Sequence, residues 1–326
     1  MTNDTLIQCL FLTYHKIEKT KSLITLSVIV SVWNGILFGV ALVANGLVCT
    51  AILKHRELRV RASNTLLLLL SMSDFCVAFA VQPLYTLRRY LELQERYHCW
   101  VMLCYRVLWH LSIGTSFLIL FFIACERYIA LFYTFKYKEI ITVPRLVIFT
   151  GVFVASWAIF VISRFFGLST AQYYTAAISF IITFVTFIIF VYIRIFRLAR
   201  RHHFQISRML MAQSSMIARE SKITKTTAYI VGAVLTCYSP LLISLVAVKF
   251  FDDKIFHYYV FPVTDCFVFS NSALNPLIYC WRNSDLRRCI RMMLQFCSLR
   301  HKVSADRKST RLNSSHVRTS RMPSSA

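Results

Sequence analysis

Charged residues are scarce in this chain. Asp, Glu, Lys and Arg make up 16% of its 326 residues, and 57% are hydrophobic, whereas an ordinary soluble domain carries about 25% charged residues. The buried helices of a large soluble protein would be broken by charged faces, but stretches such as 178–193 have no polar face. The shortage of charge therefore argues against a soluble helical protein and favours one that lies in lipid.

Seven apolar stretches are each long enough to cross a bilayer, which takes about 20 residues of helix. They cover residues 24–53, 63–87, 99–131, 145–166, 173–200, 221–250 and 256–281. The sequence therefore predicts an all-α fold, a bundle of seven transmembrane helices in a domain that spans residues 24–297.

A cleavable signal peptide is missing from residues 1–23, which hold three lysines and no small-residue cleavage site after an apolar run. We expect these residues to form an extracellular N-terminus, with the first spanning helix as the insertion signal. Asn3, in Asn3-Asp4-Thr5, is then a candidate glycosylation site.

Acidic residues are few: 14 Asp and Glu stand against 37 Lys and Arg, for a formal charge of +23. In a soluble protein this balance would suggest nucleic acid, but here the distribution of the charge matters more. With the N-terminus outside, the inner segments up to residue 305 hold 21 basic residues and the outer segments nine, in accord with the positive-inside rule. We expect a multi-pass plasma-membrane protein whose inner face meets anionic lipid and a cytoplasmic partner, and no nucleic acid.

The last residues differ in character from the rest. Residues 306–326 read like the translation of a sequencing adapter, so we exclude them from fold reasoning. We place the start of a cytoplasmic tail at residues 298–305.

Asp74 is the one acid that we place inside the membrane, where a charged group costs about 2.5 to 3.5 kcal/mol. Four side chains at a comparable depth could satisfy it together with water or a bound cation: Asn45, Ser116, Asn271 and Asn275. We predict an ion or water site, with sodium as the candidate ion and no other cofactor.

Prolines in the predicted sixth and seventh helices offer hinges. Pro276 is part of Asn275-Pro276-Leu277-Ile278-Tyr279, and Pro240 ends Cys237-Tyr238-Ser239-Pro240. Proline removes a backbone hydrogen bond and lets a helix kink. Two hinged helices around a buried polar cluster form a candidate two-state element.

Arg127, in the triplet Glu126-Arg127-Tyr128, is expected at the inner end of the third helix. Glu126 and Glu220 are the acids that can reach it. A pair between Arg127 and Glu220 would hold the third and sixth helices together until the sixth helix swings about Pro240.

The alternative for Arg127 is an arginine that only snorkels to lipid headgroups. Phe135 argues against that alternative, because it is an apolar residue on an otherwise basic inner loop. A protein partner would use such a residue as an anchor.

Eight short motifs follow one another along the chain: Asn45-Gly46-Leu47-Val48, Leu70-Ser71-Met72-Ser73-Asp74, Glu126-Arg127-Tyr128, Trp157, Tyr192, Lys222-Ile223-Thr224-Lys225-Thr226, Cys237-Tyr238-Ser239-Pro240 and Asn275-Pro276-Leu277-Ile278-Tyr279. In type and order they resemble those of the rhodopsin-like (class A) G protein-coupled receptors, over about residues 24–297.

That resemblance implies a receptor that binds an extracellular ligand and activates a heterotrimeric G protein through outward movement of the sixth helix. It casts Arg127 as the switch and Phe135 as a G protein contact, with Tyr192 and Tyr279 as internal relays. It also places a short amphipathic helix at residues 283–296, on the inner membrane surface.

Cysteines depart from the family pattern. The usual disulfide joins the outer end of the third helix to the second outer loop, but no cysteine occurs between Cys125 and Cys237. Three options remain for Cys99: it pairs with Cys9, pairs with Cys266 or stays reduced.

Other departures suggest a branch of the family. Phe184 stands near the place of the usual fifth-helix proline, and the second outer loop is very short, features similar to the melanocortin, lysophospholipid, cannabinoid and adenosine receptors. Tyr238 replaces the usual tryptophan of the sixth helix. Cys289 or Cys297 is a candidate palmitoylation site.

The outer half of the bundle is where such receptors bind ligands. Trp109 stands where amine receptors carry an aspartate, which argues against a biogenic amine. The seventh helix has no lysine between Lys254 and Lys302, so a retinal Schiff base cannot form.

Arginines cluster at the outer ends: Arg88, Arg89, Arg106 and Arg164. Because guanidinium forks suit carboxylate or phosphate, we expect an anionic, partly apolar ligand such as a lipid mediator or an acidic peptide. In the alternative, these arginines pair with Glu92 and Glu95 or with lipid headgroups.

Three rival functions are weaker. A transporter or channel would need a relay, but we find no inverted repeat and no second intramembrane acid. A receptor-shaped scaffold without G protein coupling would not need the intact triplet around Arg127. An enzyme is not indicated, because neither a catalytic constellation nor metal-ligand spacing stands out.

Overall fold

The computed structural model describes residues 6–10, 12–15, 19–206, 232–248, 250–251 and 253–295. Eight helices form the described bundle: α1 (Lys21–Lys54), α2 (Ala62–Leu93), α3 (Cys99–Phe132), α4 (Val143–Phe166), α5 (Thr170–Ile206), α6 (Gly232–Ala247), α7 (Asp253–Ile255, Phe256–Val260 and Phe261–Arg282) and α8 (284–295). Strands β1 (Leu6–Cys9) and β2 (Leu12–His15) pair as an antiparallel hairpin before α1.

The predicted all-α, seven-transmembrane bundle is confirmed, since each predicted apolar stretch overlaps one of the helices α1 to α7. Five of the described helices, α1 to α5, are long and apolar enough to cross a membrane. Helix α6 is described over a shorter, apolar length, and α7 carries polar side chains within its span. The outward faces of the long helices are apolar. Trp33 on α1 and Phe149 and Ile159 on α4, for example, are at least half exposed, as contact with lipid requires.

Helix α3 lies at the centre of the bundle. It packs against α2, α4 and α5, while α1 packs against α2 and α7. On α3, Gly114 approaches α4 so closely that a Cβ atom there would overlap the indole ring of Trp157. The Trp157 Nε1 atom donates a 3.0 Å hydrogen bond to the His110 carbonyl oxygen, which fixes the α3–α4 contact.

Proline and π-helical turns shape two of the helices. The second half of α2 starts with a π-helical turn, Val77–Val81, followed by Pro83 in the first turn of Gln82–Leu93. In α7, a π-helical turn at Phe256–Val260 precedes Phe261–Arg282, which contains Pro276. These irregular turns lie where α2 and α7 approach the site described below, and such turns often accompany function.

The N-terminal hairpin covers the end of the bundle where α3 begins. A disulfide joins Cys9 to Cys99, which decides among the three options that the sequence left open. Leu12 packs with Met102 and Leu103 in a small apolar cluster. Because α4 and α5 are joined by only residues 167–169, the hairpin supplies the cover that their connection is too short to provide.

Helix α8 follows α7 after one non-helical residue, close to the predicted range of 283–296. Asn283 caps it, since its Oδ1 atom accepts a 3.1 Å hydrogen bond from the Leu286 amide. Leu286 and Ile290 are buried, and Asp285 forms a 2.7 Å ion pair with Arg61. The helix therefore lies against the connection between α1 and α2.

Candidate functional site

Arg127 lies at the far end of α3 from the hairpin, and its partner is the preceding residue. The Arg127 Nε atom is 2.9 Å from Glu126 Oε2; the Glu126 side chain is 2% exposed and that of Arg127 25%. The predicted second partner, Glu220, lies outside the described residues.

Tyr137 completes this ion pair and was missed by sequence reasoning. It belongs to a one-turn helix, Tyr137–Ile140, between α3 and α4, and its hydroxyl donates a 2.6 Å hydrogen bond to Glu126 Oε1. Burial and the charge of Glu126 raise the pKa of the Tyr137 phenol, which keeps its proton available for donation. Glu126 is thus held from two sides.

Two aromatic residues after Arg127 differ in environment: the Tyr128 ring is packed and the Phe135 ring is exposed. Tyr128 stacks on Phe132, with ring centroids 4.4 Å apart. Phe135 is fully exposed, at 101% of its reference area. An apolar ring with no packing role in the bundle is free to serve a partner.

Asp74 lies at the middle of the bundle and joins α2 to α7. Its two oxygens accept a 2.7 Å hydrogen bond from the Ser272 hydroxyl and a 2.9 Å hydrogen bond from Asn275 Nδ2. Ser272 was missed, although it stands one turn before Asn275 on the same helix face. The Asn45 side chain binds the Ser272 carbonyl oxygen at 2.9 Å, which ties α1 into the same centre.

Ser116 does not bond Asp74 directly. Its hydroxyl lies 3.3 Å from that of Ser73, so it joins α3 to the residue before Asp74. Asn271 is completely buried one turn from Asn275. The predicted set therefore gathers at one depth. Ser272, rather than Ser116, is the serine whose hydroxyl donates a hydrogen bond to Asp74.

Buried oxygens around Asp74 have lone pairs left over. Within the described residues, no protein hydrogen bond reaches five of them: Asn45 Oδ1, Ser71 Oγ, Asn271 Oδ1, Asn275 Oδ1 and the Tyr279 hydroxyl. Oxygen donors of this kind suit water or a hard cation such as sodium. The residues present therefore fit the expected ion or water site.

The predicted switch residues link this centre to α6. Tyr238 is buried, and its ring centroid lies 4.3 Å from that of Phe117 on α3. Pro240 follows in α6, and Tyr192 packs against the same core. A shift of α6 would therefore change its packing against α3 and against the core beneath Asp74.

A cavity of about 420 Å³ opens beneath the hairpin. Six of its lining residues show its mixed character: Leu12, Arg106, Trp109, His110, Leu241 and Asp265. Three of the predicted ligand-binding residues, Arg88, Arg106 and Trp109, line it. The volume is that of a small-molecule site.

Asp265 corrects the expectation that Asp74 is the one intramembrane acid. It lies within the predicted seventh stretch, is 7% exposed and accepts hydrogen bonds from the Tyr105 hydroxyl at 2.9 Å and from Trp109 Nε1 at 3.1 Å. An acid inside an apolar stretch was a signal available in the sequence. Its presence removes one argument against a transporter, although the missing inverted repeat remains.

The outer arginines differ in their contacts. Arg88 and Arg89 both pair with Glu92, each at 2.7 Å, as in the alternative that we gave for them. Arg164 donates to the Leu168 carbonyl oxygen. Arg88, Arg89 and Arg106 all line the cavity, and Arg106 also lines a recess beside α4 and α5; we keep Arg106 as the candidate anion contact.

Two predicted modification sites, Asn3 and Cys297, lie outside the described residues. Cys289 lies on α8, is half-buried and packs against the core. In the part of the chain that the structure describes, no group of three or more His, Cys, Asp or Glu side chains is placed to hold a metal ion.

Known proteins of similar sequence are receptors. The family model described as 7 transmembrane receptor (rhodopsin family) matches residues 44–279. A D(1)-like dopamine receptor of Oreochromis mossambicus is 27% identical over 316 residues, which cover 81% of this chain and 78% of that receptor. Melanocortin receptor 5 of Rattus norvegicus is 28% identical over 193 residues, 56% of this chain and 58% of the relative. Since the family model matches well over half of the chain, this protein belongs to the rhodopsin family of seven-transmembrane receptors and is a G protein-coupled receptor.

Proposed function

We propose that this receptor lies in the plasma membrane with its N-terminus outside, binds an anionic, partly apolar ligand in the cavity beneath the hairpin, and activates a heterotrimeric G protein through outward movement of α6. The observation that carries the proposal is the arrangement of three sites along one bundle. The cavity lies at one end, the Asp74 centre in the middle, and the Arg127 pair at the other end.

Two observations support the orientation. Basic residues concentrate at the Arg127 end, where they would meet the anionic inner leaflet. The Cys9–Cys99 disulfide lies at the cavity end, and disulfides persist in oxidising compartments such as the cell exterior. Asn3 would then be open to glycosylation.

The ligand proposal is supported by Arg106 beside an apolar and aromatic cavity wall. A guanidinium favours a carboxylate or phosphate, and the wall favours an apolar body. The names of similar proteins include dopamine and melanocortin receptors, but α3 has Trp109 where an amine receptor has an aspartate. We therefore retain an anionic group as part of the ligand.

G protein coupling is supported by the geometry around Arg127. The Glu126 pair restrains the guanidinium, and movement of α6 about Pro240 would open the bundle beside it. Phe135 offers an exposed apolar contact to the G protein. Tyr192 and Tyr279 would relay the movement between α5 and α7.

Two further roles belong to the proposal. Asp74, with Asn45, Asn271, Asn275, Ser272 and Ser116, would hold water or an allosteric sodium ion. Cys289 or Cys297 would carry a palmitoyl group that fastens α8 to the inner leaflet.

The test is a ligand screen in cells that carry G protein dissociation sensors. We expect an anionic, amphiphilic ligand to trigger dissociation in the wild type and not in Arg127→Ala. Arg106→Ala should lower potency without lowering surface expression. A response that survives Arg127→Ala contradicts the coupling mechanism, and full potency in Arg106→Ala contradicts the anionic contact.

A further inference from the structure

We infer that the ligand is dipolar, with a cationic group held by Asp265 and an anionic group held by Arg106, on two sides of an apolar body. The inference rests on the proposed function and names the ligand class more narrowly. It starts from Asp265, which neither the motif analysis nor the proposed anion contact uses.

The Asp265 carboxylate can accept further hydrogen bonds from a ligand. A carboxylate has about four lone-pair sites, and the hydrogen bonds from Tyr105 and Trp109 occupy two of them. Both donors are uncharged, so they orient the carboxylate without cancelling its charge. Because Asp265 also lines the cavity, a ligand cation can approach it from inside.

An isolated charge in a poorly hydrated site is costly, and a paired charge much less so. An ammonium or guanidinium group on the ligand would therefore gain more from Asp265 than from a water-exposed carboxylate.

Arg106 lies on a different side of the cavity from Asp265. Arg106 follows Tyr105 on α3, and successive residues of a helix point about 100° apart. Tyr105 points to α7 and bonds Asp265. Arg106 instead lines a narrow recess with Arg164 of α4 and Tyr173 of α5. Asp265 therefore lies on the α7 side of the cavity and Arg106 on its α4–α5 side, whereas Arg88 and Arg89, which also line the cavity, pair with Glu92.

Apolar residues form much of the cavity wall. Ile113 of α3, Ile178 and Ile181 of α5, and Leu245 of α6 line the same cavity. Such a wall gives no hydrogen bonds to a polar linker, so it selects an apolar body between the charged groups.

The alternative is that Asp265 only balances the arginines of its own cavity. In that case a purely anionic ligand would bind as well as a dipolar one, since a ligand cation would gain nothing. A comparison of matched ligands on the wild-type receptor distinguishes the inference from this alternative. It does not depend on whether a variant folds.

The experiment measures binding to purified receptor in lipid nanodiscs by saturation-transfer NMR, without any G protein. The probes are 4-(2-aminoethyl)benzoate, which carries both charges, and its single-charge analogues 4-ethylbenzoate and 4-methylphenethylamine. We expect the dipolar probe to bind about tenfold more tightly than either analogue, the gain of one added charge contact.

Variants then assign the two ends. Asp265→Asn should lower affinity for the dipolar probe about tenfold and leave that for 4-ethylbenzoate unchanged, whereas Arg106→Gln should weaken both. Asp265→Glu keeps the charge and should retain most of the preference. Melting temperatures check that each variant is folded.

Three results would overturn the inference: equal affinity for 4-ethylbenzoate and the dipolar probe, unchanged dipolar binding in folded Asp265→Asn, or no binding of the dipolar probe at millimolar concentration. Since no G protein is present, these failures differ from failure of the proposed function. That failure would show instead as a receptor that binds ligand but does not dissociate a G protein.

Discussion

The hydroxyl of Tyr137, beyond the end of α3, donates a 2.6 Å hydrogen bond to the same carboxylate that holds Arg127. A hydrogen bond to a charged group contributes about 1.5 to 3 kcal/mol. Tyr137→Phe removes it, and the Glu126–Arg127 pair loses part of its support. We expect ligand-independent G protein dissociation to rise about two- to tenfold, measured with dissociation sensors at equal surface expression.

The matched control for that change is Tyr133→Phe, whose side chain is 51% exposed. It should leave basal dissociation unchanged. An equal rise in both variants, or none in Tyr137→Phe, would show that this hydrogen bond does not restrain the inactive state.

Asp74→Asn should remove any dependence of basal signalling on sodium. The amide keeps the shape of the carboxylate but not its charge, and it turns one acceptor toward Ser272 or Asn275 into a donor. Basal dissociation would be compared in sodium and in potassium buffers. Ser156→Ala is the control, since Ser156 bonds only the Val152 carbonyl oxygen of its own helix, α4, and sodium dependence that persists in Asp74→Asn would rule out the site.

Gly114→Ala should destabilise the receptor, because the new methyl group overlaps the indole of Trp157. Overpacking of this kind costs about 1 to 3 kcal/mol. Gly151→Ala on α4 is the control, because its Cβ meets nothing within 4 Å. Thermal unfolding of the purified receptor should show a lower melting temperature for Gly114→Ala alone; equal values would mean that α3 and α4 do not approach this closely.

Cys9→Ser should loosen the hairpin and lower stability by about 2 to 4 kcal/mol, the usual contribution of a disulfide. The bond closes a sequence separation of 90 residues. Cys104→Ser, at an exposed free cysteine, serves as control. If the two variants melt at the same temperature and retain the same surface expression, Cys9 is not bonded to Cys99 in the membrane.

Phe135→Ala should weaken G protein activation about tenfold or more, as loss of an interface anchor does, and leave melting unchanged. Its ring packs against nothing in the bundle. Phe149→Ala, at a lipid-facing position that is 57% exposed, should not alter coupling. A loss of stability in Phe135→Ala would instead assign the ring a structural role.

The bundle and the Asp74–Asn275 contact could be predicted from the sequence, because apolar length and polar residues at one depth are local signals. Asp265 was equally visible as an acid inside an apolar stretch, and Ser272 as a hydroxyl one turn before Asn275.

Other contacts could not be predicted. The hydrogen bond of Tyr137 depends on how the connection after α3 folds back, and the partner of Cys99 depends on where the first residues of the chain lie. The close approach of α3 and α4 at Gly114 depends on the rotation of two helices about their axes. Each of these is set by packing between segments that are distant in sequence.

The hairpin that holds Leu12 over the cavity belongs to the segment before α1. This cover is therefore not a loop that connects two helices of the bundle. It is attached at one end by a single sulfur–sulfur bond and at the other by the start of α1. Changes in about ten residues could therefore alter what enters the cavity without moving any helix. In such a receptor, ligand preference could diverge between relatives in the N-terminal segment while the signalling machinery below stays the same.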